Sequence, residues 1–380
     1  MISDHSFFIQ VIKEPVLLKE DRKGKEGMNY MDYQGIYWPD QNVRTDQLKI
    51  YNQNFFKPNF DMLEEKQNYP QSFVEVQDGL LDFTCFHSVS DLILGHFQMH
   101  RNAAALTEND ILYTSSQGLT QYSMLNGKEE VILHSDSLES LDYSKRHSMV
   151  TGYYNENEIY VYNIKTRSNF TFKNTEEDLE CMNDSSFVKE EGCSIICSGN
   201  SDKVYVVDLE KKKIKNRVES ITNVNQIDNK EDGQMVAFAM DTNTIQVRSL
   251  SDPDCDIRLV GHEDYNFAVR FMDEYRLASG GQDCTTRIWD IRKPDKELML
   301  LDGYNNGIGF ICYDSVKQLL ICCETYTYVY AYDLSSEVPQ RQTVDFFSSI
   351  SGICFSPNND LFVTLQDIRP GIAKFKVCDN

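Results

Sequence analysis

The residues best suited to chemistry lie close together between positions 262 and 289. His262, Ser279 and Asp283 are the three residue types of a hydrolase triad, in which a histidine base activates a serine nucleophile. Together with the indole N–H of Trp289, they can instead form a buried hydrogen-bonded chain, because each group is costly to bury unless it is paired. The sequence has no nucleophile elbow or oxyanion loop around Ser279, so it favours the buried chain over a catalytic site.

Metal and cofactor chemistry has little support elsewhere in the chain. Cys193 and Cys197 have no matching Cys or His pair downstream at zinc-site spacing, and no phosphate loop of the Walker type is present. The eleven cysteines lie mainly among apolar strand-like residues, which favours reduced thiols over a disulfide framework. We therefore expect no cofactor, no metal site and no enzymatic activity, and we expect an intracellular location, cytoplasmic or nuclear or both.

The composition limits the classes of partner. The chain has 380 residues, with 37 basic and 59 acidic side chains and a formal net charge of −22. Such a chain repels the phosphate backbone, so nucleic acid is not expected as a partner, whereas basic protein surfaces are suitable. No apolar run approaches the roughly 20 residues that a membrane-spanning helix needs, so we expect no membrane partner.

A repeat runs through the chain from Gly118 onwards. Seven β-rich runs end in a similar way, and one position can be aligned in all of them. The aligned residues are Tyr122, Tyr162, Val207, Arg248, Trp289, Tyr332 and Phe375, with successive gaps of 40, 45, 41, 41, 43 and 43 residues. Each unit also has two earlier apolar runs separated by a polar turn, such as 267–271 and 275–280. Four strands per unit predict an all-β fold, a seven-bladed β-propeller.

The last unit is too short to supply its own fourth strand, because only five residues follow Phe375. The run LILGHFQM, from Leu92 to Met99, alternates like a strand. We expect this run to complete the final blade and so to remove an exposed sheet edge. The sequence therefore predicts a partly ordered N-terminal arm over residues 1–90 and a propeller over residues 91–380.

The fifth repeat carries a specific signature. Gly261 and His262 open it, and residues 277–292 read LASGGQDCTTRIWDIR. This pattern resembles the repeat of the WD40 family of β-propellers. The resemblance implies that four residues form the structural hydrogen-bonded tetrad of a blade: His262, Ser279, Asp283 and Trp289. Other repeats depart from the pattern at the Trp-Asp position, so we expect their networks to be incomplete.

A closer resemblance extends over more of the chain. It rests on the segments GHEDYNFAVRF from Gly261, DFFSSISGICFSPNNDLFV from Asp345 and QGIYW from Gln34. These segments are similar to a poorly characterised group of WD-repeat proteins from plants and fungi that has an N-terminal QGIxW segment. The resemblance implies protein interaction and no more specific activity.

One rim of the predicted ring is rich in residue types that anchor protein interfaces. If the four strands alternate in direction, the loop before the first strand and the loop between the second and third share this rim. The candidate partner-binding residues there are Tyr154, Tyr265, Gln282, Tyr304, Tyr326 and Arg369. The alternative is that tyrosine is simply abundant, since the chain contains 21.

The opposite rim carries Arg292, the last residue of a Trp-Asp-x-Arg box. This box resembles the one in substrate receptors of cullin-RING ubiquitin ligases, where the arginine helps the propeller dock on the ligase adaptor. The resemblance implies Asp290 and Arg292 as adaptor-docking residues. Alternatively, Arg292 pairs locally with a carboxylate such as Asp290.

The arm contains an aromatic-rich segment around Gln34 to Trp38, which either packs along the side of the propeller or binds a partner. Taken together, the features favour a non-enzymatic scaffold or adaptor for other proteins. Two alternatives are a substrate receptor of a cullin-RING ligase and a stable structural subunit of a large assembly.

Overall fold

The computed structural model describes residues 10–11, 73–76, 79–93, 101–135, 138–154, 158–173, 182–188, 193–303, 306–324, 328–346, 348–366 and 370–378. Within these ranges every regular element is a β-strand, and the strands form seven sheets. No helix in this part of the chain is long and apolar enough to cross a bilayer. The predicted seven-bladed, all-β architecture is confirmed.

The strands follow one another as antiparallel hairpins, four to a blade. Three strands precede the first complete blade: Gln10–Val11 (β1), Val74–Val76 (β2) and Leu81–Ser88 (β3). Blade 1 contains Ala103–Ala105 (β4), Asp110–Ser115 (β5), Gly118–Ser123 (β6) and Lys128–His134 (β7). Blade 2 contains Glu139–Ser144 (β8), Met149–Tyr154 (β9), Glu158–Asn163 (β10) and Ser168–Lys173 (β11). Blade 3 contains Met182–Phe187 (β12), Ser194–Gly199 (β13), Lys203–Asp208 (β14) and Lys213–Glu219 (β15).

The remaining blades repeat this arrangement. Blade 4 contains Val224–Asn229 (β16), Met235–Met240 (β17), Thr244–Ser249 (β18) and Asp256–Val260 (β19). Blade 5 contains Asn266–Phe271 (β20), Arg276–Gly281 (β21), Thr285–Asp290 (β22) and Met299–Asp302 (β23). Blade 6 contains Ile308–Asp314 (β24), Leu319–Glu324 (β25), Tyr328–Asp333 (β26) and Gln340–Asp345 (β27). Blade 7 contains Ile350–Phe355 (β28), Leu361–Leu365 (β29), Gly371–Val377 (β30) and the earlier strand β3.

The seven residues aligned in the repeat all lie in the third strand of their blade. In blade 6 every residue of this strand, Tyr328–Asp333, is buried. Both faces of the strand are covered because neighbouring blades pack against each sheet. This burial explains why the third strands read as apolar and aromatic on both faces, while many outer strands carry exposed polar residues, as in Lys213–Glu219.

Polar side chains on the inner strands bind the backbone of the next blade. The Asp142 carboxylate accepts a hydrogen bond from the Phe187 N–H at 2.7 Å, and the Asp228 carboxylate accepts one from the Phe271 N–H at 2.7 Å. At the end of the ring where the inner strands begin, asparagines make similar links: Asn102 with Ser140, Asn183 with Val224 and Asn225 with Asn266. Each link pairs a buried backbone group with a side chain one repeat away, so it fastens neighbouring blades together.

Arg101, which lies two residues before the innermost strand of blade 1, connects five blades. Its backbone pairs with Gly352 of blade 7, and its carbonyl oxygen accepts a hydrogen bond from the Leu141 N–H of blade 2 at 2.7 Å. Its guanidinium forms an ion pair with Asp184 of blade 3 and donates to the Asn225 carbonyl of blade 4 at 3.0 Å. Both charged side chains are only 5% exposed. The arginine therefore reaches across the axis of the ring.

Blade 7 is closed by β3, so the prediction that residues 92–99 fill this position is wrong. The pairing of β3 with β30 extends from Leu81 opposite Val377 to Ser88 opposite Gly371. If residues 92–99 formed the outer strand of blade 7, only three residues would remain to connect it with β4, the inner strand of blade 1. Neighbouring strands in a sheet lie about 4.8 Å apart, and this connection would have to extend across a whole blade. The connection from β19 to β20, by comparison, uses five residues, 261–265. Residues 94–100 lie outside the described ranges.

Gln342, in the outer strand of blade 6, holds the beginning of β3. Its side-chain oxygen accepts hydrogen bonds from the N–H groups of Leu80 and Leu81 at 2.9 and 2.8 Å, and its amide donates to the Leu81 carbonyl at 2.9 Å. The side chain is buried. The propeller therefore begins before residue 91, and the predicted boundary at 90 is corrected: the strands Val74–Val76 and Leu81–Ser88 belong to blades 6 and 7.

Candidate functional site

The four predicted tetrad residues meet inside blade 5. His262 Nδ1 lies 3.0 Å from Asp283 Oδ2, and His262 Nε2 lies 2.7 Å from Ser279 Oγ. Trp289 Nε1 lies 2.8 Å from the same serine oxygen. The indole can only donate and the carboxylate can only accept. The hydrogen bonds therefore run in one direction, from Trp289 through Ser279 and His262 to Asp283.

The tetrad is sealed from solvent. Ser279 and Trp289 are fully buried, and His262 and Asp283 are 2% and 1% exposed. Asp283 also accepts hydrogen bonds from the Glu263 N–H and from the Thr285 backbone and hydroxyl. A serine nucleophile must reach its substrate, so this geometry does not suit a hydrolase triad. The four residues instead fasten the loop at the start of the blade to its second and third strands.

The other blades use the aligned position differently. In blade 6 the Tyr332 hydroxyl donates to the Asp302 carbonyl at 3.1 Å. In blade 4 the Arg248 guanidinium donates to the Pro253 carbonyl at 2.9 Å. Each side chain satisfies a carbonyl near the outer strand, and neither is part of a His-Ser-Asp chain. Blade 5 therefore carries the consensus network.

Replacing Ser279 by alanine should lower the free energy of unfolding by about 1–3 kcal/mol for each buried group that loses its partner. The groups are the indole N–H of Trp289 and Nε2 of His262. Urea denaturation measures the effect. Ser251→Ala, at an exposed serine of the preceding blade, is the control and should leave the midpoint unchanged. Equal midpoints for the two variants would contradict the structural role of Ser279.

The first rim contains two of the predicted partner-binding residues. Tyr265 is 49% exposed in the loop before β20, and its carbonyl accepts a hydrogen bond from the Gln282 N–H at 2.7 Å. Tyr265 and Gln282 therefore lie side by side. Tyr154 is the last residue of β9, and its side chain lies outside the description. Three others, Tyr304, Tyr326 and Arg369, also lie outside the described residues.

The opposite rim carries Arg292 in a preassembled arrangement. Its Nε and Nη2 groups donate to the Asp290 carboxylate at 2.9 and 2.7 Å. The guanidinium also stacks on Tyr275, with 3.9 Å from Cζ to the ring centroid. The hydrogen bonds from Arg292 lower the pKa of Asp290 to about 2, so the pair is charged at neutral pH. The local pairing with Asp290 is present, and Arg292 is still 57% exposed.

Tyr275 and the cleft beside it were not predicted from the sequence. Tyr275 lies in the turn between β20 and β21 and is 37% exposed. A cleft of about 340 Å³ adjoins this turn between blades 4 and 5. Its lining combines buried apolar and charged residues: Lys230, Glu231, Asp232, Phe271, Met272, Asp273 and Glu274. The turn Asp273-Glu274-Tyr275 was the sequence feature that could have indicated this surface. It places two acidic residues and an aromatic ring between two apolar runs.

The cysteines in the described ranges are not joined by disulfide bonds. Cys322 is fully buried and Cys354 is half-buried. Burial raises the pKa of each thiol to about 12. These thiols are therefore protonated at neutral pH and act as small apolar side chains. Cys193 and Cys197 are the pair considered for a metal: Cys193 immediately precedes β13, and Cys197 lies within it.

Comparisons with known proteins agree with this geometry. Residues 253–290 match the family model described as "WD domain, G-beta repeat". A segment of 74 residues, 20% of this chain, is 30% identical to the "WD repeat-containing protein on Y chromosome" of Anopheles gambiae. That segment covers only 7% of the relative.

Two solved structures have the same architecture. A chain in the crystal structure of the mitotic checkpoint complex has a TM-score of 0.67 at 11% identity, covering 80% of this chain and 94% of that chain. The WD40 β-propeller domain of Doa1 has a TM-score of 0.63 at 17% identity, covering 77% of this chain and 97% of that chain. At these identities the likeness establishes the fold alone. The chain is a seven-bladed β-propeller that contains a WD40 repeat, centred on its fifth blade.

Proposed function

We propose that this protein is a non-enzymatic scaffold that binds other proteins through the rim carrying Tyr275 and Arg292. The fold is typical of protein-interaction scaffolds. The observation that carries the proposal is the exposed stack of Arg292 on Tyr275, held by Asp290. Arginine and tyrosine are enriched among the residues that dominate binding energy at interfaces. A guanidinium already held in place loses less conformational entropy when a partner binds.

The neighbouring cleft supports the same surface. Phe271 and Met272 supply buried apolar residues, and the acidic residues around them suit a partner with basic groups. Such a combination of an apolar floor, a polar rim and an exposed aromatic–arginine pair is the usual anatomy of a protein interface.

A substrate receptor of a cullin-RING ligase is the second candidate. The observation that favours it is that Arg292 ends a Trp-Asp-x-Arg box and remains 57% exposed despite its pairing with Asp290. A ligase adaptor would then be one of the proteins bound at this rim. A stable structural subunit, the third alternative, would elute with its partners at fixed stoichiometry from size exclusion.

Arg292→Asp should reduce the capture of rim-bound proteins by at least about tenfold, because it removes the cation and adds a carboxylate beside Asp290. Affinity purification of the tagged full chain, with quantitative mass spectrometry, measures the loss. Arg258→Asp is a matched control, since Arg258 is 58% exposed and pairs with Asp256 two residues before it.

The set of lost proteins separates the candidates. Loss of a cullin-RING adaptor with Arg292→Asp, and not with Arg258→Asp, would favour the ligase receptor. Loss of other proteins only would favour the general scaffold. If both variants captured the same proteins as the unsubstituted chain, the proposed rim would be wrong.

A further inference from the structure

Blade 6 differs from the other blades at its outer edge. Within the described ranges it alone has strands beyond the fourth, because β1 and β2 both pair with β27. Strand β2 is parallel to β27, from Val74 opposite Gln340 to Val76 opposite Gln342. Strand β1 is antiparallel and occupies the other half of the edge, opposite Val344 and Asp345. One edge therefore accepts two short segments that run in opposite directions.

Pairing in both directions indicates that β27 recognises the backbone of an extended chain. The Val74 N–H donates to the Pro339 carbonyl at 2.8 Å, while the Val74 side chain is 54% exposed. Any extended segment offers the same N–H and C=O groups, which is the basis of recognition by strand addition. The strand hydrogen bonds therefore give affinity with little selection among side chains.

Selectivity comes from one aromatic residue. Phe73 precedes β2 and is only 6% exposed. Its ring packs edge-to-face on Tyr332, with 5.7 Å between centroids, and the Arg341 guanidinium lies 4.0 Å from its centroid. Arg341 is held in turn by a 2.8 Å hydrogen bond from Nη1 to the Asp302 carbonyl. Blades 5 and 6 thus form a pocket that fits a flat aromatic ring.

We propose that the outer edge of β27 is a docking site for an extended segment that begins with an aromatic residue. Phe73–Val76 fills this site from within the chain, and a partner's segment of the same chemistry fills it by displacement. The proposal deepens the proposed scaffold function, since it adds a second protein-binding surface. Displacement is feasible because the internal segment is held by three paired residues and one buried ring.

The test uses the full chain with Phe73→Ala, which empties the aromatic pocket. The probe is a fluorescein-labelled peptide, Ser-Phe-Val-Glu-Val-Gln-Asp, which has the sequence of residues 72–78. Fluorescence anisotropy should show saturable binding to this variant. Binding to the unsubstituted chain should be at least about tenfold weaker, because a tethered segment competes at an effective concentration in the millimolar range.

A control peptide and a replacement variant keep the test decisive. The same peptide with alanine in place of phenylalanine should bind Phe73→Ala at least about tenfold more weakly, since it lacks the anchoring ring. If Phe73→Ala does not give a cooperative thermal transition, Val74→Pro replaces it, because that variant removes the hydrogen bond to Pro339 and keeps the pocket.

The proposal is overturned if the folded variant binds the peptide no better than the unsubstituted chain, or if the alanine peptide binds equally well. Neither result involves Arg292, so failure here leaves the rim proposal standing. Conversely, saturable peptide binding together with an ineffective Arg292→Asp would support the docking site and contradict the rim.

Discussion

Arg101→Met should lower the free energy of unfolding by about 3–5 kcal/mol, because the buried Asp184 would lose its positive partner. Asp184 already accepts hydrogen bonds from the Ser140 hydroxyl at 3.2 Å and from the Ile227 N–H at 2.9 Å. Neither neutral group can replace the charge of the guanidinium, and methionine fills similar space without one. Urea denaturation of the full chain, followed by circular dichroism, measures the change.

The second substitution Asp184→Asn separates the buried charge from the other contacts. In the Arg101→Met background it should restore part of the lost stability, because asparagine keeps an acceptor oxygen and removes the unpaired charge. Arg167→Met is the exposed control: Arg167 is 71% exposed and pairs with Glu130 on the surface, so the midpoint should not move. An Arg101→Met midpoint equal to that of Arg167→Met would show that the pair across the axis does not stabilise the ring.

Removal of residues 1–90 should abolish the cooperative unfolding transition, whereas removal of residues 1–72 should preserve it. The longer deletion removes β3, which pairs along β30 and buries Leu81 and Phe86. Burial of two such side chains contributes about 3–6 kcal/mol, a large part of the total stability of a typical domain. The deletion of residues 1–90 also leaves β30 as an open sheet edge, so aggregation should accompany the loss of the cooperative transition. Differential scanning calorimetry and size exclusion measure both effects.

A cooperative transition in the chain without residues 1–90 would contradict the closure of blade 7 by β3. The result also bears on any search for partners. A truncation at residue 90 would lose partners by opening the ring, whereas a truncation at residue 72 keeps β2 and β3 and measures the contribution of residues 1–72, which include the segment around Gln34 to Trp38.

The blade pattern could be predicted because each unit repeats its chemistry at nearly constant spacing. Trp289, Tyr332 and Phe375 occupy equivalent places in third strands, where burial between two sheets favours large apolar or aromatic side chains. The tetrad of blade 5 was implied by the resemblance to the WD40 repeat, and it agrees with the cost of burying His262 and Asp283 without hydrogen-bond partners.

Features that join distant parts of the chain were not predictable in this way. In both runs, 81–88 and 92–99, apolar and polar residues alternate as they do in a strand. Only the distance of each run from β4 distinguishes the closing strand from the other candidate. The pairing of Arg101 with Asp184 joins blades 1 and 3, which are two repeats apart, so a comparison of neighbouring repeats does not indicate it. The links from Asn183 and Asn225 do follow a spacing near one repeat, and an alignment of the asparagines at the beginning of the inner strands would have found them.

The pairing of β3 with β30 also sets the order of events during synthesis. Ser88 meets Gly371, so the first strand of the pair leaves the ribosome about 280 residues ahead of its partner, roughly 15–60 s at usual elongation rates. Throughout that interval the apolar residues of β3 have no sheet to join, although blades 1 to 6 can already form local hairpins. The nascent chain is therefore most exposed to chaperones, and to misassociation with other chains, before its final strand appears.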